Sequence, residues 1–205
     1  MEDIGPAIDD EVVLAWLQAE IRSSRFRQHF LGPNPTSEQL AMVDRLIYRP
    51  DLLSAQENAA RKHALSTVRG FGRGVYIFRG LANDLTWRRV RFTPEEVGQM
   101  LYANNVEPWL RLAPSLRVVE GAQRVREMQP PDDYAHIIQM ADDIQRANAP
   151  VAFPEIICLH RPDNEVSVME GHSRATVVVM EAGHYPDGIE AYLGTGPSVA
   201  TWFYL

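Results

Sequence analysis

Residues 154–193 read PEIICLHRPDNEVSVMEGHSRATVVVMEAGHYPDGIEAYL, and this stretch decides the fold. Ile156, Ile157, Cys158 and Leu159 form a short apolar run, and Val166 and Val168 alternate with polar neighbours, so both segments read as strands. Asp163-Asn164 between them is turn chemistry. The second strand runs straight into Glu170-Gly171, where a glycine permits a tight turn and a close approach of ligand to backbone. Ser173 then opens a helix that continues through Ala175–Met180. The β-branched Thr176, Val177, Val178 and Val179 lower helix propensity and leave a strand as the competing local reading. Glu181-Ala182-Gly183 resembles a helix end and favours the helix. Ile189–Leu193 is the returning strand.

The densest polar chemistry in the chain is Glu170-Gly171-His172-Ser173-Arg174, where a strand ends and a helix begins. A helix start offers unpaired N–H groups and the positive end of a dipole, which suits an anion such as a phosphate. Arg174, in the first turn, is placed to close over that phosphate. Glu170 is placed to hold a magnesium ion or to accept a proton from a hydroxyl. A structural reading stands beside this one. Glu170 and Arg174, four residues apart, form an ion pair that shapes the turn, and His172 hydrogen-bonds a backbone carbonyl.

Met169-Glu170-Gly171-His172-Ser173-Arg174-Ala175 resembles the strand, acid-Gly-His-x-Arg, helix pattern of the ParB/sulfiredoxin-like superfamily, and within it the free-serine kinase branch. That branch carries aspartate where this chain has Glu170. The loop lacks the cysteine of sulfiredoxin and the glycine-glutamate-arginine-arginine of the partition proteins. The likeness covers about residues 153–193, with a weaker echo over 86–102. It implies an α/β (α+β) fold with a mixed sheet, and a nucleotide-phosphate site on Gly171, His172, Ser173 and Arg174. It further implies a phosphotransferase that uses ATP or ADP with Mg2+ to phosphorylate a hydroxyl of a small molecule. Glu170 is the matching catalytic and metal-holding acid. A second acid is expected from the weaker box, with Glu95, Glu96 and Glu120 as candidates and Glu96 placed first. The alternatives are a nucleotide-binding switch or adaptor and a DNA-associated ParB-like protein, neither transferring a phosphoryl group.

Outside this stretch, residues 1–10 read as a loose lead-in. Asp9 or Asp10 caps a helix to about Phe30 with Val13, Trp16, Leu17 and Ile21 on its apolar stripe. Arg22, Arg25 and Arg27 on its tail read as a solvated basic face. Thr36 or Ser37 caps a second helix that reaches Ile47 and stops at Arg49-Pro50, and a third covers Ser54–Val68. Gly70-Phe71-Gly72-Arg73-Gly74 follows a helix instead of joining a strand to one, so it is a flexible turn and not a dinucleotide loop. Val75–Phe78 and Trp87–Phe92 have strand composition, with Asn83-Asp84 turning a hairpin between them. Thr93-Pro94-Glu95-Glu96 opens a helix to about Tyr102. The proline-bounded segment 107–117 reads as irregular, and Trp109 and Arg117 in it are candidate substrate-binding residues. A helix runs from about Leu116 to Met128, Pro130-Pro131 breaks it, and Asp132 or Asp133 caps another to about Asn148. Two regions result: a helical N-terminal part, residues 1–74, and a nucleotide-binding part, residues 75–205, forming one compact unit. The aromatic end Trp202-Phe203-Tyr204 packs on the core.

Composition sets the outer limits. The chain has 205 residues, 45% hydrophobic and 23% charged, with a formal charge of −7, as expected for a soluble globular protein with one substantial core. This acidity argues against a general nucleic-acid binder. Lys62 is the only lysine, so a Walker-type phosphate loop is excluded and any side-chain clamp on phosphate uses arginine. Cys158, the only cysteine, excludes an intramolecular disulfide and reads as a small buried hydrophobe. His160, His172 and His184 are evenly spaced, which invites a zinc site but is not ligand geometry. No apolar run approaches a membrane span and the first residues lack a signal-peptide core, so a cytoplasmic protein is expected.

Overall fold

A computed structural model describes residues 1–128 and 133–205, and at Ser24, Arg25, Phe26 and His29 the backbone alone. The expected break at Pro130-Pro131, the Asp132 cap and the Arg25 side chain of the basic face lie outside the described residues. The architecture is mixed α+β. One five-stranded sheet runs in the order β1-β2-β5-β3-β4, with β1 at Glu2–Ala7, β2 at Thr86–Phe92, β3 at Ile156–His160, β4 at Val166–Glu170 and β5 at Ile189–Thr195. The β3–β5 pair is parallel and the remaining pairs are antiparallel.

The apolar run of β3 is explained by burial on both faces. Successive side chains of a strand point to opposite sides. Ile156 and Cys158 accordingly enter one core with Val168, Val177 and Leu193, while Ile157 and Leu159 enter a second with Trp16, Leu65 and Tyr192. The first core lies under α5 (Pro94–Gln99), α7 (Val118–Arg124), α8 (Ala135–Ala147) and α9 (His172–Met180). The second lies under α1 (Asp9–Arg22), α2 (Ser24–Leu31), α3 (Ser37–Val43, continued by a π turn at Asp44–Tyr48) and α4 (Ala55–Arg69). Cys158 is fully buried, its thiol pushed upward in pKa by desolvation, with Sγ 3.8 Å from Met100 Sδ.

The N-terminal part is not purely helical. The lead-in expected to be loose is β1, paired along β2. Its acids explain the pairing: Glu2 meets Arg91 at 2.7 Å and Asp3 takes Arg88 Nε at 2.9 Å. The first helix ends sooner than expected, at an extended Ser23 (φ −78°, ψ 120°), and α2 follows. Neither Asp9 nor Asp10 caps α1. Glu11 reaches back to the Ile8 N–H, Asp9 accepts from Trp87 Nε1 at 2.9 Å and Asp10 pairs with Lys62. The expected caps at Thr36 and Thr93 are present, and Ser54, expected as the first residue of its helix, caps that helix instead.

The expected hairpin over 75–92 is absent. Tyr76–Phe78 is a 3₁₀ turn, because Gly74 and Tyr76 both take positive φ (61° and 51°), which breaks a strand. Phe78 packs on Trp16 instead, with ring centroids 5.0 Å apart. Asp84 does not turn a hairpin but accepts from Ser198 N–H at 3.0 Å. The segment read as irregular contains α6, Glu107–Leu112, and α5 stops at Gln99. Asp133 pairs with Arg111 and leaves α8 uncapped by a side chain. Trp202 is buried as expected, its indole donating to Ile77 O at 2.7 Å.

One packing detail fixes the floor of the candidate site. The Tyr102 hydroxyl bonds Thr176 Oγ1 at 2.6 Å, and a Cβ at Gly121 would overlap that hydroxyl. Gly121→Ala is therefore expected to cost about 2 kcal/mol through overpacking, read as a lower urea midpoint. An unchanged midpoint would mean that Tyr102 yields to the added methyl.

Candidate functional site at the strand-to-helix loop

β4 ends on Glu170, and Gly171 turns the chain with φ 98° and ψ 23°. Glycine is required here twice over. The left-handed backbone disfavours other residues, and a Cβ would sit 2.8 Å from Ile156 Cγ2 and 2.9 Å from Arg174 Nη2. α9 begins at His172, so the N–H groups of His172, Ser173 and Arg174 have no acceptor within the helix. The Ser173 hydroxyl lies 2.8 Å from His136 Nε2, contributed by α8.

His172 is neutral. Its pKa is pulled down to about 3, by burial first and then by the nearby Arg174 and Arg69 guanidinium groups. Nε2 accepts the Ala103 N–H at 3.3 Å, which leaves the ring proton on Nδ1. The ring stacks on Trp109 at 5.0 Å with planes 12° apart, and Trp109 stacks in turn on Tyr102 at 5.0 Å.

Arg174 is 8% exposed and largely committed. Nη1 donates to Pro154 O at 2.6 Å and Glu155 O at 3.1 Å, and Nη2 to Glu170 Oε1 at 3.2 Å. The guanidinium therefore ties the loop to the entry of β3, and of these contacts only the ion pair with Glu170 was expected from the sequence. Glu170 has a raised pKa, chiefly from burial and further from Glu20, against the opposing charges of Arg174 and Arg69 and a hydrogen bond from Gly171 N–H.

Glu20 and Arg69 escaped the sequence reading. Glu20 is 1% exposed on α1, and its Oε1 accepts from Trp16 Nε1 at 3.1 Å and from Arg69 Nε at 2.5 Å. Its Oε2 is buried without a hydrogen bond among the described residues. A signal for Glu20 exists: at Trp16 + 4 it falls on the apolar stripe of α1, where a carboxylate is out of place unless partnered. Two acids and two arginines thus meet behind the loop, one of each from the N-terminal helices.

The acids expected from the weaker box are engaged elsewhere. Glu96 accepts from Thr93 N–H at 2.9 Å and from the N-terminal amine. Its helix packs through Gly98 on Val179, near the far end of α9, about 12 Å along the axis from Gly171. Glu95 is exposed, and Glu120 binds Ser115 N–H at 2.9 Å and Arg124 at 3.0 Å. Arg117 grips Glu165 with two bonds of 2.8 and 2.7 Å. Glu165 lies at the opposite end of β4 from Glu170, roughly 16 Å away along the strand. Of the residues expected to bind substrate, Trp109 reaches the loop and Arg117 does not. The evenly spaced histidines do not converge. His184 faces Glu181 at 3.6 Å, and no group of three metal-ligating side chains occurs among the described residues. Among the described residues no helix is long and apolar enough to cross a membrane. Comparison with models of known families, with curated proteins and with solved structures finds no match.

Proposed function

We propose that the chain binds ATP or ADP through its phosphates at the first turn of α9 and passes a phosphoryl group to the hydroxyl of a small molecule. The observation that carries this reading is the turn itself: a left-handed Gly171, three N–H groups with no intrahelical acceptor, and the Ser173 hydroxyl beside them, steadied by His136 at 2.8 Å. Phosphoryl transfer needs positioning and charge neutralisation more than covalent help from the protein. His172 lies flat against Trp109, and its lowered pKa means that it adds no charge to the helix start near neutral pH.

In this reading the acceptor oxygen bonds to the transferred phosphorus, the bond to the nucleotide's bridging oxygen breaks, and the hydroxyl proton passes to Glu170. The raised pKa of Glu170 suits a proton acceptor. A resident magnesium cage is not among the described residues. Magnesium, however, commonly binds through one or two carboxylates together with nucleotide phosphates, and Glu170 is the carboxylate at the end of β4 beside this turn. The donor set fits an ion that arrives with the nucleotide and neutralises phosphate charge. Arg174 supports the loop, and the backbone holds the phosphate.

A second reading, nucleotide binding without transfer, is favoured by the engagement of Glu170 with Arg174 at 3.2 Å. Ser173→Asp tests the phosphate site shared by both. An acid in the first helical turn is favourable to the fold by about 0.3–1 kcal/mol, yet it occupies the anion position with negative charge. The expected outcome is an unchanged or higher Tm and loss of the thermal shift caused by ATP or ADP with magnesium. No shift in the unmodified protein, or a shift that survives Ser173→Asp, sinks the site. Incubation with γ-labelled ATP and a pool of hydroxylated metabolites then separates transfer from binding alone.

A further inference from the structure

Segment 150–156 and segment 185–190 enclose an open cleft of about 340 Å³. Small-molecule sites of roughly 300–1,000 Å³ with apolar walls and few polar groups are the common pattern. Phe153, Ile156, Tyr185 and Ile189 give this cleft its apolar wall, and the buried Arg174 forms part of its surface. Nη1 and Nη2 of Arg174 are engaged, but Nε donates to nothing among the described residues. This Nε is not enclosed, since the buried side-chain atoms that lack a partner among the described residues belong to Asp10, Glu20, Arg61 and Arg89; it is open to solvent, and a ligand oxygen inside the cleft would take the place of that water.

We propose that this cleft is the acceptor pocket and takes a small, apolar-bodied alcohol whose hydroxyl oxygen accepts from Arg174. The inference rests on the phosphotransferase reading for its meaning, though not for its geometry. Charge selects the head group. Glu155 and Glu190 also line the cleft, both already paired with Arg89 at 3.1 and 2.6 Å. A carboxylate ligand would add a third negative charge beside them. An ammonium ligand would face Arg174 with three donors and no acceptor. A neutral hydroxyl avoids both conflicts. The position also suits delivery: Arg174 belongs to the first turn of α9, so one residue borders both the phosphate-binding N–H groups and the cleft.

The test uses the full chain and three probes with the same ring: benzyl alcohol, benzylamine and benzoate, followed by ligand-observed NMR and by shifts of protein resonances. Benzyl alcohol is expected to bind without nucleotide, about tenfold or more tighter than either charged probe, and to shift Phe153, Tyr185 and Ile189. Ala152→Trp, at an exposed position in the wall, is expected to fill the cleft and weaken benzyl alcohol by about tenfold or more with Tm unchanged. Should that variant fold poorly, Val151→Trp, also exposed and in the wall, serves the same purpose. The inference is overturned if benzyl alcohol does not bind, if a charged probe binds as well, if the shifts lie elsewhere, or if the filled variant binds equally. Nucleotide thermal shifts on the same samples keep the two readings apart. Nucleotide binding without alcohol binding removes the cleft alone, and alcohol binding without nucleotide binding removes the phosphate site alone.

Discussion

Arg174→Ala is expected to lower stability by about 3–5 kcal/mol, the usual consequence of removing one partner from a buried ion pair. The guanidinium is 8% exposed and satisfies two carbonyls, Pro154 O and Glu155 O, together with the Glu170 carboxylate. Truncation leaves all three acceptors with one fewer donor and leaves Glu170 facing Glu20 with only Arg69 as a nearby counter-charge. For a chain of this length each kcal/mol corresponds to roughly 2–4 °C in Tm, so a fall of roughly 10 °C is expected. Arg174→Lys should recover only part of it, because an ammonium cannot span carbonyls and carboxylate with a planar fork. The measurement also decides between two roles. An arginine that merely closes over a phosphate would, when truncated, abolish nucleotide binding while leaving the apo protein as stable as before. An apo Tm within about 2 °C of the unmodified protein would restore that role and remove the structural one.

The roles of individual residues at this loop were legible only where they are local. Gly171 announces its turn because a strand pattern and a helix pattern meet there, and a positive φ at the junction needs glycine. The helix from 172 to 180 was readable through its valines because Glu181 onward carries stop chemistry. What the arginine at 174 does was not readable: an acid four residues earlier fits an ion pair and a phosphate clamp equally, and only the carbonyls of Pro154 and Glu155, brought in by β3, separate them. The Ser173–His136 bond joins residues 37 positions apart, with no local trace in either segment. β1 hid for a related reason. EDIGPA has a glycine, a proline and two acids, poor strand composition, and it pairs because those acids meet the arginines of β2. Val75–Phe78 failed in the opposite direction, with strand composition but a backbone turned by Gly74 and Tyr76. Glu20 was the one missed residue with a readable signal, an acid on an otherwise apolar stripe.

Acid sensitivity between pH 6.5 and 5 is the second large effect expected, and His172 is its source. Burial and the charges of Arg174 and Arg69 pull its pKa down to about 3, against about 6.5 in an unfolded chain. Below pH 6.5 the unfolded chain takes up a proton that the folded imidazole refuses, so stability falls as pH falls and is fully present only above 6.5. Integrating this difference from pH 7 to pH 5 gives a loss of about 2 kcal/mol, growing further toward pH 3. The groups facing the ring are Arg174 from its own helix, Arg69 from α4, and the Tyr102 and Trp109 rings. Glu170 works in the opposite sense, since its raised folded pKa favours proton uptake by the folded state as pH drops. Comparison with His172→Asn removes that contribution, which both proteins share. The asparagine amide oxygen can still accept the Ala103 N–H, but it does not titrate. Urea midpoints at pH 7 and pH 5 should therefore differ markedly for the unmodified protein and little for the variant. Parallel losses in the two would place the acid sensitivity outside the loop. The coupling has a consequence for binding: protonating His172 would set a third cation beside Arg174 and Arg69. Nucleotide affinity at the first turn of α9 should therefore be compared with the variant over the same pH interval, where the two curves separate only if the folded ring takes up its proton.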